Sequence, residues 1–127
     1  MLLDDIGVYL QSHGIGEVGV DIFKGAMPDS PDKCICLYEY AGEPLSLDWD
    51  GENPGLQVMV RDKSYEQGRL KINRIQNTLH GINNTTINGT RYLLVHAQQS
   101  PESLGRDENN RCEFVINFRV IKEVNIS

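Results

Sequence analysis

This chain is short of the residues from which catalytic and metal centres are built. Its 127 residues include three histidines, three cysteines and one tryptophan. His13, His80 and His96 stand far apart, and none belongs to a His-x-x-x-His or Glu-x-x-x-His pair. A zinc enzyme needs such converging ligands, so the sequence argues against that class. No Gly-x-Ser-x-Gly elbow, P-loop or dinucleotide fingerprint occurs. The apolar runs are too short to span a bilayer, and no membrane partner is expected. The opening MLLDDIGVYLQ places two aspartates where an export signal needs positive charge, so export is not expected. Basic residues are in deficit too: 12 Lys and Arg against 18 Asp and Glu give a net charge of −6. Gripping DNA requires phosphate neutralisation, so DNA is expected only as passing cargo.

The cysteines are Cys34, Cys36 and Cys112. An odd count in a chain without an export signal favours free thiols. Cys34 and Cys36 share one face of a strand, and Cys-Ile-Cys is not the spacing of a zinc knuckle. They read as small buried hydrophobes, with no metal, cofactor or catalytic residue expected. The alternative from another class is a small cytoplasmic enzyme using Cys34 or Cys36 with a histidine. A depressed thiol pKa beside a histidine would mark it. Asp48-Trp49-Asp50-Gly51 superficially matches a calcium loop, but the EF-hand glycine and closing glutamate are out of register here. It reads as an acidic loop tip.

What the chain does have is clear periodicity. In 54–81, PGLQVMVRDKSYEQGRLKINRIQNTLHG, Leu56, Val58 and Val60 alternate with polar neighbours as a half-buried strand. Ser64 and Gln67 then stand at capping-box spacing, which predicts a reciprocal pair of side-chain bonds. Gly68, Ile72, Ile75 and Leu79 form one helical face, and Gly81 supplies the stop. Residues 1–13 read as an amphipathic helix, with Leu2, Ile6 and Leu10 on one face and Asp4 and Asp5 favouring the dipole. His13 and His80 are expected to assist helix-end carbonyls. Strands are predicted at 18–24, 33–41, 91–98 and 111–122. In the last, Cys112, Phe114, Ile116, Phe118 and Val120 share a face. Residues 42–54 and 99–110 read as long polar loops, and 82–90 as a polar stretch with an Asn88-Gly89 turn. The fold class is α+β: a single domain over 1–127, with a mostly antiparallel β-sheet and two α-helices packed on one face.

In this order, the elements KCICLYEYAG, the 54–81 segment, TRYLLVHAQQSP and EFVINFRVIKE resemble the minor capsid and tail-terminator proteins of long-tailed bacteriophages and prophages. The resemblance covers nearly the whole chain. It implies a non-enzymatic virion protein that forms a homo-oligomeric ring, hexameric in related phages. The ring would cap the tail tube and join it to the head connector or stopper protein. The subunit would sit at the tail–head junction after assembly in the host cytoplasm, and could be monomeric when isolated. Another neck or minor capsid component is the alternative within this class.

A ring needs two different patches that meet head to tail. Arg61, Lys63, Arg69, Lys71 and Arg74 gather on and before the second helix. They read either as a solvated face or as one side of a subunit contact. The acidic side would come from 43–52 or 102–108. The candidate interface residues are therefore Asp48, Trp49, Asp50, Glu52, Arg61, Arg69, Lys71, Arg74, Arg106, Asp107 and Glu108, with Trp49 as the expected anchor.

Overall fold

The computed structural model describes residues 1–43 and 51–123. Among these, helix α1 covers Leu2–Ser12, followed by β1 (Ile22–Lys24), β2 (Cys34–Glu43) and β3 (Gly51–Asp62). Helix α2 (Tyr65–Leu79) comes next, then β4 (Ile82–Ile87), β5 (Thr90–Ala97), β6 (Glu102–Arg106) and β7 (Cys112–Glu123). They form a 7-stranded sheet in the order β1-β2-β3-β7-β5-β4, with β6 paired to β7. Only the β1–β2 pair is parallel.

Register follows the apolar period. Ile35 pairs with Val60, which pairs with Phe114; Leu37 pairs with Val58, which pairs with Ile116. These side chains point to the face covered by both helices. There they meet Leu2, Ile6 and Leu10 of α1 and Ile72, Ile75 and Leu79 of α2 in one buried cluster. The expected α+β architecture with helices on one face is the observed one.

The β3–α2 joint departs from the expectation in one bond. Ser64 Oγ accepts the Gln67 N–H at 3.2 Å, as its position predicts. The Ser64 N–H, however, goes to the Asp62 carboxylate at 2.9 Å rather than to Gln67. At the far end Gly81 adopts a positive φ of 91°, the conformation a helix stop favours.

Four element assignments are corrected. The predicted strand 18–24 contracts to Ile22–Lys24, because 17–21 folds into a turn in which the Glu17 N–H binds the Asp21 carboxylate at 2.6 Å. Both ends of the loop read over 42–54 are strand, since β2 continues to Glu43 and β3 starts at Gly51, while 44–50 lie outside the described residues. The stretch 82–87 is an edge strand in a hairpin closed by Asn88-Gly89. The loop read over 99–110 contains β6, which carries on along β7 where β5 leaves off.

The nine residues between β1 and β2 cross the face opposite the helices. They cover Cys34 and Cys36, and the Cys34 thiol meets the Met27 sulfur at 3.2 Å. Farther along that face, the Tyr40 ring lies across Gly55, where a Cβ would stand 2.2 Å from it, and its hydroxyl donates to Gln98 at 3.0 Å.

Gly68 offers a test of how closely α2 sits on the sheet. A Cβ there would lie 2.5 Å from the Phe114 ring. Helix propensity alone favours alanine by ~1 kcal/mol. Overpacking a locked core ring costs ~1–3 kcal/mol and should win. Gly68→Ala is therefore expected to lower the melting temperature, measured by circular dichroism.

Candidate functional site

The cations that the sequence gathers around α2 do not share one solvated face. Arg61, Arg69, Lys71 and Arg74 each reach back to a backbone carbonyl of their own chain, whereas Lys63 pairs with the Asp32 carboxylate at 3.4 Å. Arg61 is only 3% exposed, and its guanidinium donates to the carbonyls of Pro31 (2.7 Å) and Asp32 (3.3 Å). As an outward contact residue it is corrected: β3 buries it beneath the crossover. Lys71 Nζ donates to the Ile15 carbonyl at 2.8 Å, and Arg74 Nη2 to that of His13 at 2.9 Å. Both tie α2 to the segment after α1. Burial, and then the nearby Lys33, lower the Lys71 pKa from its ordinary value. On the other flank, Arg69 Nη1 donates to the Pro101 carbonyl at 3.0 Å. Arg106 Nη1 donates to Asn110 at 2.9 Å and Lys63 at 3.4 Å.

The pattern has an electrostatic consequence. The ion pairs among the described residues use Lys24, Lys33, Lys63, Arg91 and Arg111 as side-chain cations. None uses Arg69, Lys71, Arg74 or Arg106. A carbonyl satisfies donors without cancelling charge, so these four remain positively charged at the surface of an acidic protein.

The acidic candidates divide. Asp107 faces inward: its carboxylate accepts the N–H groups of Asn109 (3.0 Å) and Arg111 (2.9 Å) and pairs with Arg111 Nε at 2.8 Å. Desolvation opposes its ionisation, but these donors outweigh it and hold its carboxyl below the usual carboxylate range. Glu108 is exposed at the same turn. Glu52 lies half-buried in β3 opposite Lys122. Asp48, Trp49 and Asp50 lie outside the described residues.

Two polar nodes escaped the sequence reading. Arg111, 4% exposed, holds Asp107 and also donates to the Asp29 carbonyl, at 2.5 Å, and to the Asp32 carboxylate, at 3.4 Å. With Arg61 it clamps the crossover to the sheet. Its position at the start of a strand gave no sign of this. Asp5, read as a dipole residue, is fully buried and accepts from Tyr92 at 2.6 Å and Asn88 at 3.1 Å. A carboxylate one residue before Ile6 on an apolar helix face was the available signal.

His13 does assist a helix end, through Nδ1 and the Tyr9 carbonyl at 2.8 Å. His80 does not: its Nδ1 accepts the Ala97 N–H at 2.9 Å, and its ring packs on His96 at 4.4 Å. The three thiols are buried and unbridged. Burial pushes the Cys34 and Cys36 thiols up, the reverse of what a nucleophile requires.

A profile described as bacteriophage tail terminator protein matches residues 9–124. In three dimensions the chain is similar to a chain of a solved structure titled "Virion of native gene transfer agent (GTA) particle". The TM-score is 0.74 at 13% identity, over 97% of this chain and 95% of the other. That likeness is one of fold. Among curated proteins none matches the sequence.

Two expectations follow from these contacts. Asp107 has a lowered native pKa, so its contribution to stability is present above its unfolded value of 3.8 and is lost as pH falls through the lower native value. Asp107→Asn should be less stable than the wild type at pH 7, with the gap narrowing in urea titrations as pH falls below 3.8. The thiols should be reduced and metal-free, and should react with a thiol reagent only after denaturant is added. Stoichiometric zinc in the purified protein would contradict this.

Proposed function

Because the chain belongs to the bacteriophage tail terminator family, we propose that it closes into a ring that caps the polymerised tail tube and gives the head connector a docking surface. It is a phage tail structural protein. The observation that carries the finer reading is the extent of the family match, 116 residues from 9 to 124, on a chain whose fold follows a virion component over nearly its full length. The ring is a homo-oligomer, a hexamer as first expectation, and the isolated subunit can be monomeric. Its partners are the tail tube protein and the head connector or stopper protein. It acts at the tail–head junction after assembly in the host cytoplasm, and performs no catalysis.

Physical features of the chain fit this role. A net charge of −6 does not favour retention of DNA passing through the ring. Cations held by carbonyls on and around α2 leave positive charge for the carboxylates of a neighbour. The 43–52 segment, with Glu43, Asp48, Asp50 and Glu52, supplies such carboxylates, and Trp49 is its anchor.

Mixing the protein with polymerising tail tubes tests the proposal. Electron microscopy should show rings on tube ends and tubes that stop growing, and Trp49 fluorescence should shift to the blue. Replacing 44–50 by a short Gly-Ser turn should barely change the melting temperature, since closure depends weakly on loop length. The same change should stop tails from joining heads. Normal yields of infectious particles from the shortened chain would sink the role given to Trp49.

A further inference from the structure

We infer that the crossover between β1 and β2 is a latch: a strap that swings off the sheet as one unit while the rest of the fold stays intact, with Arg111 as its pin. Its own backbone does little to hold it. The Gly25 N–H binds the Leu37 carbonyl at 2.8 Å; beyond that, the strap makes no backbone-to-backbone hydrogen bond among the described residues. Side chains of other elements hold it instead. Arg61 of β3 donates to the carbonyls of Pro31 and Asp32. Arg111, just before β7, donates to the Asp29 carbonyl and pairs with the Asp32 carboxylate. Lys63 pairs with the same carboxylate, and Lys33 of the strap with Asp62. Both lysines are exposed, so these two ion pairs contribute little and the weight falls on the arginines. Asp107 completes the device by holding Arg111 Nε at 2.8 Å. One guanidinium thus locks the turn before β7 to a strap 82 residues away in sequence. A segment held by a few side-chain bonds belongs to the low end of local stability.

What the strap covers is separate from the core. The Cys34 thiol meets the Met27 sulfur at 3.2 Å, and the Cys36 sulfur is hydrogen-bonded to the Ala26 backbone. Both cysteines are buried, yet neither belongs to the cluster beneath the helices, whereas Cys112 does. The register shows why the sheet needs a cover here. Cys36, Met59 and Val115 form an apolar row across β2, β3 and β7 on the face away from the helices. The next row, Tyr38, Gln57 and Asn117, is polar-tipped and partly exposed. The strap therefore crosses the apolar end of a face whose remainder tolerates water. Its opening uncovers sulfur and aliphatic surface without disturbing the packing under α1 and α2.

The two sets of thiols supply the readout. The full chain is treated with a thiol reagent across a urea series, and mass spectrometry assigns the label to each cysteine. In the wild type, Cys34 and Cys36 should label at urea concentrations below the global unfolding midpoint, where circular dichroism still reports the native helices. Cys112 should label only at that midpoint. Arg111→Met removes the pin. Without denaturant it should label at Cys34 and Cys36 about tenfold or more faster than the wild type, the effect of losing hydrogen bonds from a charged group, with Cys112 unchanged. Wild-type labelling of all three cysteines together at the midpoint would overturn the latch, whether or not Arg111→Met folds. A folded Arg111→Met chain that keeps Cys34 and Cys36 protected, or that releases Cys112 equally, would overturn the role of the pin.

Discussion

The geometry of this protein depends on a turn of two residues. Lys63 and Ser64 are all that separates β3 from α2, so the helix has no freedom to settle elsewhere than back along the sheet. Asp62 and Ser64 make that reversal stable by taking up backbone donors that the turn would otherwise strand. The helix then lays Ile72, Ile75 and Leu79 on the same sheet face as Leu56, Val58 and Val60. β3 also sits between β2 and β7, so the orientation of α2 is passed on to the strands that carry most of the core. At Gly68 the helix backbone lies close enough to Phe114 that a Cβ would stand 2.5 Å from its ring.

A second constraint comes from the way positive charge is held. Surface ion pairs contribute little, typically 0–1 kcal/mol. Here several long cationic side chains instead bond carbonyls of other segments: α2 to the end of α1, α2 to the start of β6, and β3 to the crossover. Each such bond staples two elements while leaving the charge in place. Arg61 does this under near-complete burial, and the equally buried Arg111 adds ion pairs with Asp107 and Asp32 to its carbonyl bond, because buried guanidinium donors must be satisfied to be tolerated. The same chemistry thus serves the fold and leaves positive charge at its surface.

Apolar period made much of this legible in the sequence. The β3–α2 segment, the face of β7 and both helices could be read because burial on one side imposes alternation or helical spacing. What escaped lacks that imprint. β6, Glu-Ser-Leu-Gly-Arg, is exposed at every residue and is a strand only through backbone bonds to β7. β4, Ile-Asn-Asn-Thr-Thr-Ile, buries only its two ends. Gly51 and Pro54 open β3 although both residues usually signal a loop, because the strand there is fixed by pairing with Glu123 and Lys122. Of the candidate contact residues, charge type could be read but not direction. Arg61 turns inward because Pro31, distant in sequence, is close in space, and Asp107 because the turn before β7 folds it onto Arg111.

On the function proposed above, the subunit would have to join identical copies into a closed ring without open-ended strand pairing. The edges of this sheet bear on that requirement. β1 is three residues long and is followed by Gly25 at a φ of 80°. β4 carries Asn84 at a φ of 45° in its middle, which turns one backbone unit out of the ladder. β6 is interrupted by a bulge and by Gly105 at 92°. Each edge is short, kinked or bulged, the devices by which strands decline to pair with other chains. Association is thereby left to side-chain surfaces, whose complementarity sets an angle between neighbours as well as an affinity. A fixed angle is what distinguishes a ring from a fibre, so the polar, irregular margins that obscured this fold in the sequence are the part of it best suited to controlled assembly.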